Sequence, residues 1–167
     1  MRTFKHYFIG LISIVFLYGA VGFLPDVGYA EPAAQIFTVA MDSSPEGMWK
    51  TLDDKTGEAR SVIKVWTEKG ELVGRIEKLF RKPGENPNPL CDKCTGENKD
   101  KPVIGMTVMW GLKKDGDEWT GGHILDPDDG KVYSCKVELA DGGKKLEVRG
   151  FIGFSLIGRT QTWVRSE

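Results

Sequence analysis

The chain has 167 residues, of which 40% are hydrophobic and 28% charged, and its formal net charge is −1. Once an N-terminal targeting segment is set aside, a chain of this length builds one domain around one core. The nearly neutral charge balance, without a polybasic cluster, excludes a nucleic-acid-binding protein and a protein held at an anionic membrane surface.

Residues 1–30 predict a cleaved signal peptide. A basic head over residues 2–6 precedes an apolar run over residues 7–24, and Gly28 and Ala30 are small residues at the positions that a signal peptidase reads. An uncleaved anchor is the alternative, because the apolar run is long enough to cross a bilayer. Cleavage takes two basic residues and one acidic residue from totals of 23 and 24, which leaves a net charge of −2. We expect a mature protein that is periplasmic or secreted and not embedded in a membrane.

The mature chain predicts an all-β domain over residues 46–167, after a flexible segment over residues 31–45. Short apolar or alternating runs are separated by glycine, proline and aspartate turns, and none has the spacing of a long helix. Eight such antiparallel strands can close into an up-and-down barrel without exposed edges. In chain order the eight predicted strands are "GMWKTL", "ARSVIKVW", "LVGRIEKLF", "VIGMTVMWGL", "EWTGGHIL", "KVYSCKVEL", "KLEVRGFIG" and "SLIGRTQTWVR".

Alternation along the strands predicts which side chains face the core. Leu72, Gly74 and Ile76 share one side of the third strand, and Cys135 and Val137 share one side of the sixth. The other side of each strand is polar, so these strands are expected to have one wet face.

A long excursion is predicted between the third and fourth strands. Residues 81–102 hold four prolines and both cysteines of a C-x-x-C motif, which is typical of a surface loop that the cysteines tie down. Residues 103–112 are apolar on both sides and rich in strand formers, so a buried strand is predicted to follow.

The three cysteines are interpreted from the oxidising compartment that export implies. Cys91 and Cys94 are expected to be bonded, to each other or one of them to Cys135. Because Cys91 and Cys94 share a loop while Cys135 lies on the apolar side of its strand, we predict a Cys91–Cys94 disulfide and a buried free thiol.

Catalytic and metal motifs are weak in this sequence. His123 is the one histidine of the mature chain, and "GFSLIG" lacks the second glycine of a nucleophile elbow. A zinc site would have to combine the C-x-x-C with an isolated Cys135 and His123, and "DPDDGK" lacks EF-hand spacing and predicts a hairpin turn. No enzyme, metal or cofactor is predicted.

The first and last strands carry a paired signature. Gly47-x-Trp49 opens the first strand, and Trp163-Val164-Arg165 closes the last. This pairing resembles the lipocalin and fatty-acid-binding superfamily. The resemblance implies that Trp49 plugs the closed end of the barrel and is covered by Arg165 or Arg159.

A second resemblance extends over nearly the whole mature chain. The segments "GMWKT", "GRIEKL", C-x-x-C, "KPVIGM", "GGHILDPDDGKVYSC" and "VRGFIGFSLIGRTQTWVR" are similar to the exported bacterial family called domain of unknown function 2147. This resemblance implies a periplasmic, lipocalin-like barrel and names no substrate.

Three functional hypotheses follow. The leading one is a non-catalytic barrel that binds a small apolar or amphipathic molecule, with Arg149, Arg159, Gln161 and Tyr133 converging on its head group, for example a carboxylate. The second is an envelope interaction protein with a filled barrel and an unknown protein partner at loop 81–102. The third is a thiol or metal protein that uses the C-x-x-C.

Overall fold

The computed structural model describes residues 44–166, and their eight strands close into one antiparallel barrel. The predicted signal peptide and nearly all of the predicted flexible segment lie outside the described residues. The strands are β1 (Gly47–Leu52), β2 (Ala59–Glu68), β3 (Glu71–Leu79), β4 (Thr107–Asp115), β5 (Glu118–Asp126), β6 (Lys131–Ala140), β7 (Lys145–Phe151) and β8 (Gly158–Arg165). The predicted fold class is therefore confirmed.

Each strand pairs with its neighbour in sequence, and β1 pairs with β8 to close the barrel. The helical elements of the described part are two short 3₁₀ turns, Gly96–Asn98 and Asp141–Gly143. Within residues 44–166, no helix combines the length and the apolarity that a membrane crossing requires.

The largest differences between the observed and predicted strand bounds lie at the loop end of the barrel. β4 begins at Thr107, whereas the apolar run had predicted a strand from Val103. Val103 and Met106 lie at the end of the loop before β4, and their apolar side chains are buried in the core cluster. The region between β7 and β8 was predicted as strand on both sides, but residues 152–157 form the connecting loop.

The strand faces follow the predicted alternation. Leu72 and Ile76 are buried on β3, as are Cys135 and Val137 on β6. The polar side chains between them stay partly exposed, because they lie on the outer face of the barrel.

One end of the barrel is filled and closed. This end is filled by buried side chains, among them Trp49, Leu72, Leu112, Val137 and Leu146. The strands are joined at this end by short connections, residues 69–70, 116–117 and 141–144.

An arginine covers the tryptophan of the closed end. The Arg165 guanidinium lies 4.5 Å from the centroid of the Trp49 ring, and the two residues are paired across β1 and β8. Arg165 also donates hydrogen bonds to the carbonyl oxygens of Gly143 (2.6 Å), Glu46 (2.9 Å) and Ser44 (2.6 Å). A Cβ atom at Gly47 would lie 2.8 Å from the Arg165 guanidinium, which explains the glycine two residues before the tryptophan.

The opposite end carries the longer loops. These are residues 53–58, 80–106, 127–130 and 152–157. The 80–106 segment contains the predicted disulfide between Cys91 and Cys94. It packs on the β5–β6 turn, where the Lys93 ammonium donates a 2.7 Å hydrogen bond to the Asp128 carbonyl.

Candidate ligand-binding site

A cavity of about 690 Å³ occupies the half of the barrel that faces the longer loops. All eight strands contribute to its wall, and the loops after β3, β5 and β7 line its mouth. Leu90, Ile152 and Ile157 line the cavity while their side chains are half exposed or more, so the cavity reaches the protein surface.

Most of the inner wall is apolar. The branched side chains come from five strands, namely Ile63, Ile76, Val108, Ile124, Leu125 and Val148. The indole of Trp163 is 2% exposed and separates the cavity from the filled end. This wall suits an apolar ligand, because apolar area removed from water is the main favourable contribution to such binding.

Three uncharged polar side chains interrupt the apolar wall on adjacent strands. The hydroxyl groups of Thr51 on β1 and Ser61 on β2 are hydrogen-bonded to each other at 2.7 Å, and both side chains are buried. Gln161 on β8 accepts a 3.3 Å hydrogen bond from the Trp163 indole N–H. All three line the cavity.

Charged side chains line only the rim. None of them is buried, and they are Arg60, Arg81, Asp92, Lys93, Asp126, Asp128, Asp129 and Arg159. Two ion pairs join separate parts of the rim, Arg60 with Asp128 and Arg159 with Asp54. Within residues 44–166, Arg81 forms no ion pair.

The structure brings three of the four predicted head-group residues to the cavity. Arg159, Gln161 and Tyr133 line it, whereas Arg149 does not. Arg149 lies between two inward residues of β7, and its side chain holds the 152–157 loop from outside. It donates hydrogen bonds to the Ser155 carbonyl (2.7 Å), the Thr160 hydroxyl (2.9 Å) and the Leu156 carbonyl (3.4 Å).

Arg159 lies nearer to solvent than the sequence suggested. It was expected near the middle of the barrel, but its side chain is 58% exposed and paired with Asp54. An acidic ligand would therefore have to compete with a carboxylate of the protein for this guanidinium.

Tyr133 is engaged with a rim carboxylate. Its hydroxyl donates a 2.5 Å hydrogen bond to Asp129, and this bond, together with burial, raises the pKa of Tyr133. The hydroxyl hydrogen is used in that bond, so Tyr133 can offer a ligand only its oxygen lone pairs.

The predicted closure residues divide between two places. Gly47, Trp49 and Arg165 lie together at the closed end, as the resemblance to lipocalins implied. Trp163 lies on the same inward face of β8 but higher in the barrel, where it forms the floor of the cavity.

The sequence reasoning missed Thr51 and Ser61. Thr51 follows Trp49 by two residues and so shares its inward face, which was a usable signal. Ser61 had a weaker signal, because its strand is otherwise rich in apolar residues.

The 152–157 loop exposes four large apolar side chains at the mouth. Ile152, Phe154, Leu156 and Ile157 are 66%, 78%, 90% and 71% exposed. Ile152 and Ile157 line the cavity, while Phe154 and Leu156 do not. The loop thus continues the apolar surface of the cavity outward.

The cysteine and histidine positions bear on the thiol and metal hypothesis. Cys91 and Cys94 are bonded to each other, and Cys135 is buried in the barrel. His123 lies exposed on the outer face, stacked on Trp110 with 5.8 Å between ring centroids. Among residues 44–166, no three histidine, cysteine or acidic side chains are grouped as a metal site.

Cys135 is expected to be unreactive in the folded protein. Burial raises the pKa of its thiol to about 12, so almost no thiolate forms at pH 8. Titration with a disulfide reagent should detect no thiol in the native protein and one in denaturant. Rapid reaction of the native protein would contradict this expectation.

Comparison with known proteins agrees with this architecture. A family profile described as "Uncharacterized protein conserved in bacteria (DUF2147)" matches residues 47–165. The chain belongs to this family. The match spans the barrel from the first residue of β1 to the last residue of β8, which confirms the resemblance found in the sequence. No curated protein matches the chain.

A solved structure has the same fold. It is described as "Protein HP1028 from the human pathogen Helicobacter pylori belongs to the lipocalin family". The two chains superpose with a TM-score of 0.63 at 18% identity, over 74% of this chain and 84% of the other. At this identity the likeness shows a lipocalin-like fold and nothing about the ligand of this DUF2147 protein.

Proposed function

We propose that this DUF2147 protein is an exported bacterial binding protein that holds a small apolar or amphipathic molecule in its barrel and carries out no catalysis. The observation that carries the proposal is the cavity of about 690 Å³, which is within the usual range for small-molecule sites. Its closed floor, mostly apolar wall and open mouth are the features that such a molecule requires.

Export is part of the proposal. Residues 1–30 have the pattern of a cleaved signal peptide, and a disulfide within the 80–106 segment suits an oxidising compartment. N-terminal sequencing of the protein from a bacterial envelope fraction is expected to begin at Glu31. Retention of Met1 in membranes would contradict export by cleavage.

The ligand itself can be sought without knowing its class. Native mass spectrometry of the protein purified from the periplasm is expected to show a retained small molecule that is lost on denaturation. If the native and denatured proteins have equal mass in several preparations, no ligand is retained through purification. Titration with a fluorescent probe then decides whether the cavity binds a ligand.

Filling the cavity should abolish probe binding. Gly150 lies inward on β7, and a Cβ atom there would meet Ile124 and Tyr133 at ordinary contact distances of 3.5 and 3.6 Å. Gly150→Phe should therefore place a ring in the cavity without breaking the barrel. The apolar fluorescent probe N-phenyl-1-naphthylamine should bind the wild type saturably and the variant at least about fivefold more weakly, since bulk in a pocket displaces ligand.

The matched control puts the same ring outside the barrel. Thr162 is exposed on the outer face of β8, so Thr162→Phe should leave probe affinity unchanged. Failure of the wild type to bind the probe, or equal affinity of the wild type and Gly150→Phe, would contradict cavity binding.

A second candidate function is contact with a partner at the mouth. The exposed Phe154 and Leu156 side chains favour it, because they lie outside the cavity. The sequence had instead placed a partner at loop 81–102 of a filled barrel. A filled barrel does not agree with the cavity, so partner contact at the mouth would accompany ligand binding rather than replace it.

A further inference from the structure

We infer that the cavity selects an amphiphile whose head group is uncharged and forms hydrogen bonds, such as a hydroxyl, carbonyl or amide, and that Thr51, Ser61 and Gln161 receive it. This inference rests on the proposed function. It names the chemical class of the ligand and its orientation.

The three side chains form one polar patch on neighbouring strands. β1 lies between β2 and β8 in the closed barrel, and Thr51 pairs with Ser61. Lys50 pairs with Val164, so the same register brings Thr51 level with Trp163. Gln161 is bonded to that tryptophan, and the patch therefore lies beside the cavity floor.

The hydrogen-bonding capacity of the patch is only partly used. Two hydroxyl groups carry two hydrogens, and their mutual 2.7 Å bond uses one of them. Within residues 44–166, the Gln161 side-chain nitrogen donates to no protein group. Thr51 and Ser61 are 9% and 7% exposed, so the remaining capacity faces the cavity rather than bulk solvent. A ligand oxygen would complete it.

The charge distribution excludes an ionised head group at this patch. Every charged side chain that lines the cavity belongs to the rim, and none is buried. A carboxylate beside Trp163 would be removed from water without a cation to meet it, which is costly. A neutral group loses much less solvation and regains it in hydrogen bonds.

The test compares ligands that differ only in the head group. 1-Decanol, decanamide and decanoate would each compete with N-phenyl-1-naphthylamine at pH 8, where decanoate is ionised. Decanol and decanamide should bind at least about tenfold more tightly than decanoate, a factor typical of one or two hydrogen bonds gained or a charge desolvated.

A double variant tests the patch itself. Thr51→Val with Ser61→Ala removes both hydroxyl groups together, so no buried partner is left unpaired and the fold should be retained. It should weaken decanol by about tenfold and leave N-phenyl-1-naphthylamine affinity unchanged. The matched control, Thr162→Val with Ser134→Ala, removes two hydroxyl groups from the outer face and should change neither affinity.

The outcomes separate this inference from the proposed function. No probe binding by the wild type would overturn both. In a second outcome, the probe binds, decanoate competes better than decanol, and Arg159→Ala abolishes this preference. The head group would then lie at the rim, and the inference alone would be overturned. Unchanged decanol affinity in the Thr51/Ser61 variant would also overturn it while leaving cavity binding intact.

Discussion

Replacing Arg165 by alanine is expected to lower the free energy of unfolding by about 3 kcal/mol, measured by urea titration. The side chain contributes a cation–π contact with the buried Trp49 ring and three hydrogen bonds to backbone carbonyls. The contact is worth about 0.5–1 kcal/mol and each hydrogen bond about 1 kcal/mol, and such contributions add incompletely. The loss is large because one side chain ties the end of β8 and the residues just before β1 to the loop at Gly143.

Two comparisons identify the source of this stability. Arg165→Lys keeps a cation near the indole but cannot reach three carbonyls, so an intermediate loss is expected. Arg75 also lies over a tryptophan, with 5.6 Å to the Trp66 centroid, but its side chain is 43% exposed on the outer face. Arg75→Ala should cost less than about 1 kcal/mol. Equal losses for Arg75→Ala and Arg165→Ala would show that the contacts of Arg165 at the closed end add no more stability than a surface cation–π contact.

The fold was largely predictable because its pattern is local. Each strand needs only alternation and a following turn, and the neighbours of nearly every strand are its neighbours in sequence. The closing pair of β1 and β8 is the exception. The resemblance of the tryptophan motifs in the first and last strands to lipocalins implied this pair, which strand propensity alone does not indicate.

Apolar residues at the open end of the barrel made two loop segments resemble strands in the sequence. Val103 and Ile157 are β-branched residues that favour strands, yet both lie in loops. Val103 is buried against the core, while Ile157 is exposed at the mouth. A run of apolar residues shows that a surface is apolar and does not show whether strand pairing covers it.

The site was less predictable than the fold because it depends on which loops meet. Arg159 pairs with Asp54, more than one hundred residues earlier in the chain, and no local pattern indicates that encounter. Arg149 was misplaced for a simpler reason. It alternates with the inward residues Val148 and Gly150, so its outward direction was present in the sequence.

The loop architecture at the mouth depends on a close backbone approach at Gly130. Its φ is +74°, and a Cβ atom there would lie 2.0 Å from the Lys93 carbonyl oxygen in the disulfide-containing segment. No real Cβ contact is that short, and the atoms opposing it are backbone. Any side chain at this position must therefore push the 80–106 segment away from the β5–β6 turn.

Gly130→Ala is accordingly expected to cost about 3 kcal/mol or more, of which about 1–2 kcal/mol comes from the left-handed backbone and the rest from the clash. Gly116→Ala is the matched control, since Gly116 has φ +61° but nothing within 4 Å, and it should lose only the backbone part. Urea titration measures the difference in stability, and amide hydrogen exchange over residues 91–103 should rise in Gly130→Ala alone. Because Leu90, Lys93 and Val103 line the cavity, the same variant should release N-phenyl-1-naphthylamine faster than the wild type. Equal behaviour of the two alanine variants would show that contact between the disulfide-containing segment and the turn does not hold the mouth of the barrel together.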